Sequence, residues 1–309
     1  MAAAVSLLTA IVSLRLLSSS EYAVASIGIA YAAPLSALLY LPFAKFVLIE
    51  GIDLTVRRSF LTAHAAIVPI ATAALLLLSK GGWIESSGLA ATLILFLISQ
   101  GGKEFYGGCL RVSGNLRAFA GLYIADSILT LIVTSLFLTL SPTAPMMVLA
   151  SGLASIVTAY WASTRIKWHD GEGKSGLRLA DIYKAGAGQS LGTVLIGFAI
   201  ASGRSVLNRA TPEEFRGVVQ FLMDAVQKPM ALISSSLNSA IIPEIRARGS
   251  VTTLRFSISV MCMSLVGATI LVVGLEELLL ESSRSQHSSI PVELLLGCVL
   301  VVWINRYRA

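Results

Sequence analysis

Polar residues interrupt an apolar tract, VVQFLMDAVQKPMAL at 218–232, at the spacing of a helix face. Gln220, Asp224 and Lys228 recur every fourth residue, with Gln227 beside the last of them. An ionised side chain at the centre of a bilayer costs at least ~2.5 kcal/mol on insertion scales. Such a face therefore has to meet water, an opposite charge or a ligand. The chemistry that this stripe predicts is the binding of a charged ligand in a water-filled cavity.

A second polar stripe lies on the preceding apolar segment, where Gln189, Thr193, Gly197, Arg204 and Asn208 fall near one face. Cations also occur in the first two apolar segments, and a cavity rich in cations suits an anionic substrate such as a phosphate-bearing lipid headgroup. The predicted substrate-binding residues are Arg15, Lys45, Arg204, Asn208, Gln220, Asp224 and Lys228. For Arg15, snorkelling to the membrane interface is an equally good interpretation. Asp126 is a further polar residue, in the apolar segment at 117–140. A pairing with a basic neighbour explains Asp126 as well as a place in the cavity does.

The composition indicates which elements position these residues. The chain has 309 residues, of which 55% are hydrophobic and 13% charged, and its mean hydropathy is +0.80. A soluble domain carries about 25% charged residues, so we predict an integral membrane protein. Apolar runs of spanning length predict an all-α bundle of about ten transmembrane helices, at about 1–17, 23–49, 60–79, 88–113, 117–140, 145–165, 182–208, 213–243, 254–274 and 290–305.

Basic residues predict the orientation of this bundle. A cytoplasmic N-terminus places most Lys and Arg residues, Arg57, Arg58, Arg165 and Lys167 among them, at the cytoplasmic ends of the helices. We therefore expect a multi-pass protein of the inner (cytoplasmic) membrane. Lys103 and Glu104 are interpreted as an interfacial pair.

An internal echo predicts two halves. RLLSSSEYAVA at 15–25 is similar to NRATPEEFRGVV at 208–219, and a polar stretch separates the sixth segment from the seventh. We predict a six-helix lobe over 1–166, a cytoplasmic linker over 167–181, and a second, incomplete lobe with helices seven to ten over 182–309.

Other chemistries find little support. The three cysteines and three histidines are scattered, so neither a disulfide framework nor a metal site is expected. The GKS of WHDGEGKSG lacks the leading glycine of a phosphate-binding loop, and no strand precedes GAGQSLG, so we expect no ATP, nucleotide or other cofactor. We also expect no nucleic-acid partner and no enzyme, since the outer loop at about 275–289 is too small for a membrane glycosyltransferase or ligase.

Three stretches carry a resemblance to a known family: RLLSSSEYAVASIGIAYAAPLSALLYLPFAKFVLIEG, KEFYGGCLRVSGNLRAFAGLYIADS, and GRSVLNRATPEEFRGVVQFLMDAVQKPMALISSSLNSAIIPEI. The sequence resembles the polysaccharide or O-antigen (lipid-linked oligosaccharide) flippases of the multidrug/oligosaccharidyl-lipid/polysaccharide exporter superfamily. The resemblance implies two six-helix lobes around a central cavity, and basic groups at Arg15 and Arg204.

The expected function follows from that resemblance. It is alternating-access movement of a lipid-diphosphate-linked oligosaccharide across the membrane, with membrane lipids as the other partners and a monomer as the expected state. Helices eleven and twelve of the family pattern are missing from the sequence, so an inactive truncated remnant stays an alternative. A cation-coupled drug or metabolite antiporter of the same superfamily is another.

Overall fold

Seven α-helices and the start of an eighth make up the part of the protein that the computed structural model describes, which is residues 2–50, 54–81, 87–168 and 179–225. The helices are α1 (Ala2–Leu16), α2 (Ser19–Glu50), α3 (Leu54–Lys80), α4 (Ser87–Val112), α5 (Leu116–Leu140), α6 (Ala144–Thr164) and α7 (Leu179–Ala210). A short 3-10 helix over Glu213–Phe215 follows, and residues 216–225 are helical.

The predicted all-α class is confirmed for these residues, because every regular element among them is a helix. Among the residues that the structure describes, three helical stretches are long and apolar enough to cross a membrane, namely Ser19–Tyr40, Leu116–Leu140 and Ala144–Thr164. They indicate a membrane protein. The total of ten spans stays a prediction, and the segments predicted at 254–274 and 290–305 lie outside the described residues.

The chain divides into two compact units, Met1–Gly217 and Val218–Ala309. In the first unit α2 packs against both α7 and α4, while α6 lies between α4 and α5, and α1 packs mainly on α5. The predicted lobes and the linker at 167–181 stay predictions. We call the end where α1 ends and α2 begins the outer end, and the opposite one the inner end, after the predicted orientation.

The first turn of α2 organises the outer end. Ser18 Oγ accepts a hydrogen bond from Glu21 N (3.2 Å) and so caps its own helix. The Glu21 carboxylate turns instead to α6 and accepts from Ala144 N at 2.5 Å. Ser19 Oγ accepts from Gly217 N at 2.7 Å, at the start of the helix over 216–225. The start of α6 and the start of the helix over 216–225 therefore both contact the first turn of α2. Because Ser18 caps α2, this helix starts earlier than the predicted residue 23.

Aromatic side chains organise the inner end. The Phe60 ring of α3 stacks on the Phe105 ring of α4, with centroids 3.8 Å apart. The Arg57 guanidinium lies over Trp168, 5.2 Å from the ring centroid, and Tyr183 Oη donates to the Leu39 carbonyl oxygen at 3.0 Å. Since α3 begins at Leu54 and not at the predicted residue 60, Arg57 lies inside this helix.

Candidate functional site

The face of α7 that carries Arg204 packs against α2. Gly197, Ala201, Arg204 and Asn208 follow one another at intervals of three or four residues, so they share one side of the helix. Ala201 packs with Ile27 and Tyr31 of α2 in a small apolar cluster. Of the predicted polar stripe, Gly197 and Arg204 contact α2.

Arg204 is almost completely enclosed in that interface. Arg204 is 2% exposed, and its Nη1 donates a hydrogen bond to Ser26 Oγ of α2 at 2.9 Å. The interface between α2 and α7 therefore contains a buried guanidinium group.

Small residues let the two helices approach closely beside Arg204. A Cβ atom on Gly197 would lie 2.7 Å from Cβ of Pro34, closer than two carbon atoms can pack. Next to it, the rings of Tyr31 and Phe198 lie with centroids 6.5 Å apart. The close approach and the ring contact together exclude solvent from this stretch of the interface.

The other predicted binding residues are distributed differently. Asn208, one turn beyond Arg204, is buried. Arg15 is exposed at the end of α1, and Lys45 is part of α2. Gln220 is buried and Asp224 half-buried in the helical residues of the second unit, while Lys228 lies outside the described residues. The structure thus brings only Arg204 and Asn208 of the predicted set onto one face in the first unit.

A second buried polar cluster joins α4, α5 and α6. Lys103 Nζ lies 2.7 Å from Asp126 Oδ2, and their side chains are 8% and 13% exposed. Asp126 Oδ1 accepts from Ser155 Oγ at 2.9 Å and from Thr158 Oγ1 at 3.1 Å. Gln100 Nε2 donates to Ser155 Oγ at 2.9 Å. Three donors, Lys103 Nζ and the Ser155 and Thr158 hydroxyls, thus converge on one carboxylate, and Gln100 holds the Ser155 hydroxyl from the other side.

The interpretation of Lys103 and Glu104 as a pair is wrong. Consecutive residues on a helix are separated by about 100° and cannot face each other. Lys103 turns inward to Asp126, whereas the exposed Glu104 accepts a hydrogen bond from Tyr123 Oη at 3.2 Å. Pairing of Asp126 with a basic residue, one of the two interpretations of this residue, is confirmed.

A sequence signal for this cluster existed. Ser155 and Thr158 are three residues apart on an apolar helix, so both hydroxyls lie on one face. Asp126 and Lys103 stand in neighbouring segments joined by a short turn, at similar distances from that turn. Both patterns together would have predicted a shared site.

No protein-family model, curated protein or solved structure matches this chain.

Proposed function

We propose that the protein is a flippase of the cytoplasmic membrane that moves lipid-diphosphate-linked oligosaccharide by alternating access. The observation that supports it best is the buried Arg204 guanidinium on the face of α7 that packs against α2. The resemblance of the sequence to polysaccharide flippases supports the same function. The substrate's diphosphate is the group that a buried guanidinium would recognise.

The proposed step is an exchange of acceptors. When α2 and α7 separate, Arg204 gives up the Ser26 hydroxyl and binds diphosphate oxygens. The guanidinium fork can donate two parallel N–H bonds to a phosphate, and such charge-assisted bonds are about twice as strong as neutral ones. Asn208, one turn along the same face, is placed to contact the sugar. The exchange therefore favours the open, substrate-bound arrangement only when a diphosphate is present.

The experiment reconstitutes the full chain in liposomes with a fluorescent polyprenyl-diphosphate sugar and measures its movement between leaflets. Arg204→Gln should reduce the rate by about 30- to 100-fold, the equivalent of a lost charge-assisted contact of about 2–3 kcal/mol. The rate of the Arg204→Lys variant should lie between those of the wild type and Arg204→Gln, because a lysine keeps the charge but cannot form the bidentate contact.

Arg209→Gln is the matched control, since Arg209 is an exposed cation on the same helix. It should leave the rate within about twofold, as expected for a surface charge. Equal rates for wild type and Arg204→Gln, with equal amounts of protein in the bilayer, would contradict the proposal.

A cation-coupled antiporter is a second candidate, favoured by the Asp126 carboxylate enclosed among α4, α5 and α6. An intramembrane carboxylate is a common site for ion coupling. Efflux of an organic cation from the same liposomes under an ion gradient, lost in Asp126→Asn and retained in Arg204→Gln, would favour this function over the flippase.

A further inference from the structure

Two arginines lie at the inner end of the α5–α6 hairpin. Trp161 of α6 packs over Gly121 of α5, where a Cβ atom would lie 3.6 Å from the indole ring. The Arg165 guanidinium, one turn further along α6, lies 5.4 Å from the Trp161 ring centroid. Arg117 is one turn before Gly121 in α5. The two guanidinium-bearing residues therefore lie at corresponding positions on adjacent antiparallel helices.

The charged side chains at the described ends of the two helices, over 111–121 and 157–168, are all basic. Arg117 and Arg165 are both exposed, as are Arg111 and Lys167. Neither 111–121 nor 157–168 contains an aspartate or glutamate. Because Arg165 rests on an indole ring through a cation–π contact, part of its side-chain entropy is already lost before any ligand binds.

An apolar surface continues from the arginines toward the outer end. Ile128, Ile132 and Leu136 of α5, which follow one another at four-residue spacing on the side of the helix that carries Arg117, are 37%, 57% and 56% exposed. A cationic site next to exposed apolar side chains fits an amphiphile with an anionic headgroup. Trp161 between them is the side chain that prefers the membrane interface.

We propose that the inner end of the α5–α6 hairpin binds the phosphate headgroup of an anionic phospholipid, with Arg117 and Arg165 on the phosphate and the acyl chains along the exposed face of α5. The two guanidinium groups favour a lipid with net negative charge over a zwitterionic one, whose own cationic group they would repel. The site lies on α5 and α6, apart from the α2–α7 interface that holds Arg204, and does not depend on the proposed transport function.

The experiment titrates the detergent-solubilised full chain with phosphatidylglycerol and counts bound lipids by native mass spectrometry. Phosphatidylcholine and inorganic phosphate are titrated in parallel. The double variant Arg117→Gln/Arg165→Gln is compared with Arg58→Gln/Lys184→Gln, which removes two other exposed cations at the inner end. The first variant should bind phosphatidylglycerol about 20- to 30-fold more weakly, and the control within about threefold of wild type.

Several outcomes would overturn the proposal. One is equal binding of phosphatidylglycerol by the two double variants. Another is equal affinity of the wild type for phosphatidylglycerol and phosphatidylcholine, a result that requires no variant to fold. A third is displacement of the lipid by millimolar inorganic phosphate, which would indicate a general anion site. Retained selectivity for phosphatidylglycerol in the presence of phosphate, lost only in Arg117→Gln/Arg165→Gln, supports it.

Discussion

Lys103 on α4 and Asp126 on α5 form a close ion pair, with 2.7 Å between Nζ and Oδ2, at side-chain exposures of 8% and 13%. The pair is embedded among Gln100, Ser155 and Thr158, and it ties together three helices that are adjacent in the first unit. Transfer of two charges out of water is costly, and their mutual attraction offsets that cost only when both are present.

The first prediction concerns this pair. Asp126→Leu leaves an ammonium without its carboxylate and should lower the free energy of unfolding by about 3–5 kcal/mol. Lys103→Met/Asp126→Leu removes both charges and should recover most of that loss. The measurement is denaturant unfolding of the purified protein in mixed micelles. Glu104→Gln, at the exposed neighbouring residue, should change stability by less than about 1 kcal/mol. Additive losses in the double variant would show that the pair is not coupled.

The second prediction concerns the approach of α7 to α2. Gly197→Ala places a methyl group 2.7 Å from Cβ of Pro34, so the helices must move apart at a cost of about 1–3 kcal/mol. Gly203→Ala is the matched control on the same helix, because a Cβ atom there meets nothing within 4 Å. It should be neutral or stabilising by up to about 1 kcal/mol through helix propensity. Thermal unfolding of the two variants side by side tests this, and equal midpoints would contradict the close packing.

The third prediction concerns the start of α6. Thr143 is its N-cap but makes no side-chain capping bond, and the Glu21 carboxylate from α2 supplies an acceptor to Ala144 N instead. Glu21→Ala should therefore lower stability by about 1–2 kcal/mol, the effect of losing a charged cap. Glu213→Ala changes an exposed glutamate at the same end of the first unit, and we expect it to leave the stability almost unchanged. Hydrogen exchange at the first turn of α6 should accelerate in the Glu21 variant alone.

The helices were predictable because their signals are local. Apolar runs bounded by Ser, Gly and Pro clusters predicted all seven helices in order. The starts of α2 and α3 were predicted late, because polar residues such as Arg57 were taken as loop residues. A long polar side chain can remain in a helix when its end reaches an aromatic neighbour, as Arg57 reaches Trp168.

The site was less predictable because partners are set by tertiary packing. The position of Arg204 in an apolar helix was enough to single it out, but its contact with Ser26 could not be predicted, because α2 offers several other hydroxyls. Ser26 becomes its partner because α2 and α7 pack closely along Gly197 and Pro34. The same limit applies to Lys103, whose position beside Glu104 suggested a local pair, while the acceptor lies on another helix.

The last prediction tests whether Ser26 competes with a ligand for Arg204. Ser26→Ala removes the hydroxyl that accepts from Nη1 and should lower stability by about 1.5–3 kcal/mol, the contribution of a hydrogen bond to a charged group. Ser36→Ala, on the same helix, provides the matched control and should change stability by less than about 1 kcal/mol. Under the proposed function, a polyprenyl diphosphate should raise the unfolding temperature of Ser26→Ala more than that of wild type, because binding no longer has to displace the hydroxyl. Equal stability of the two variants would show that the contact with Arg204 contributes nothing. A normal loss of stability with an unchanged ligand-induced shift would retain the contact and argue against Arg204 as the diphosphate-binding group.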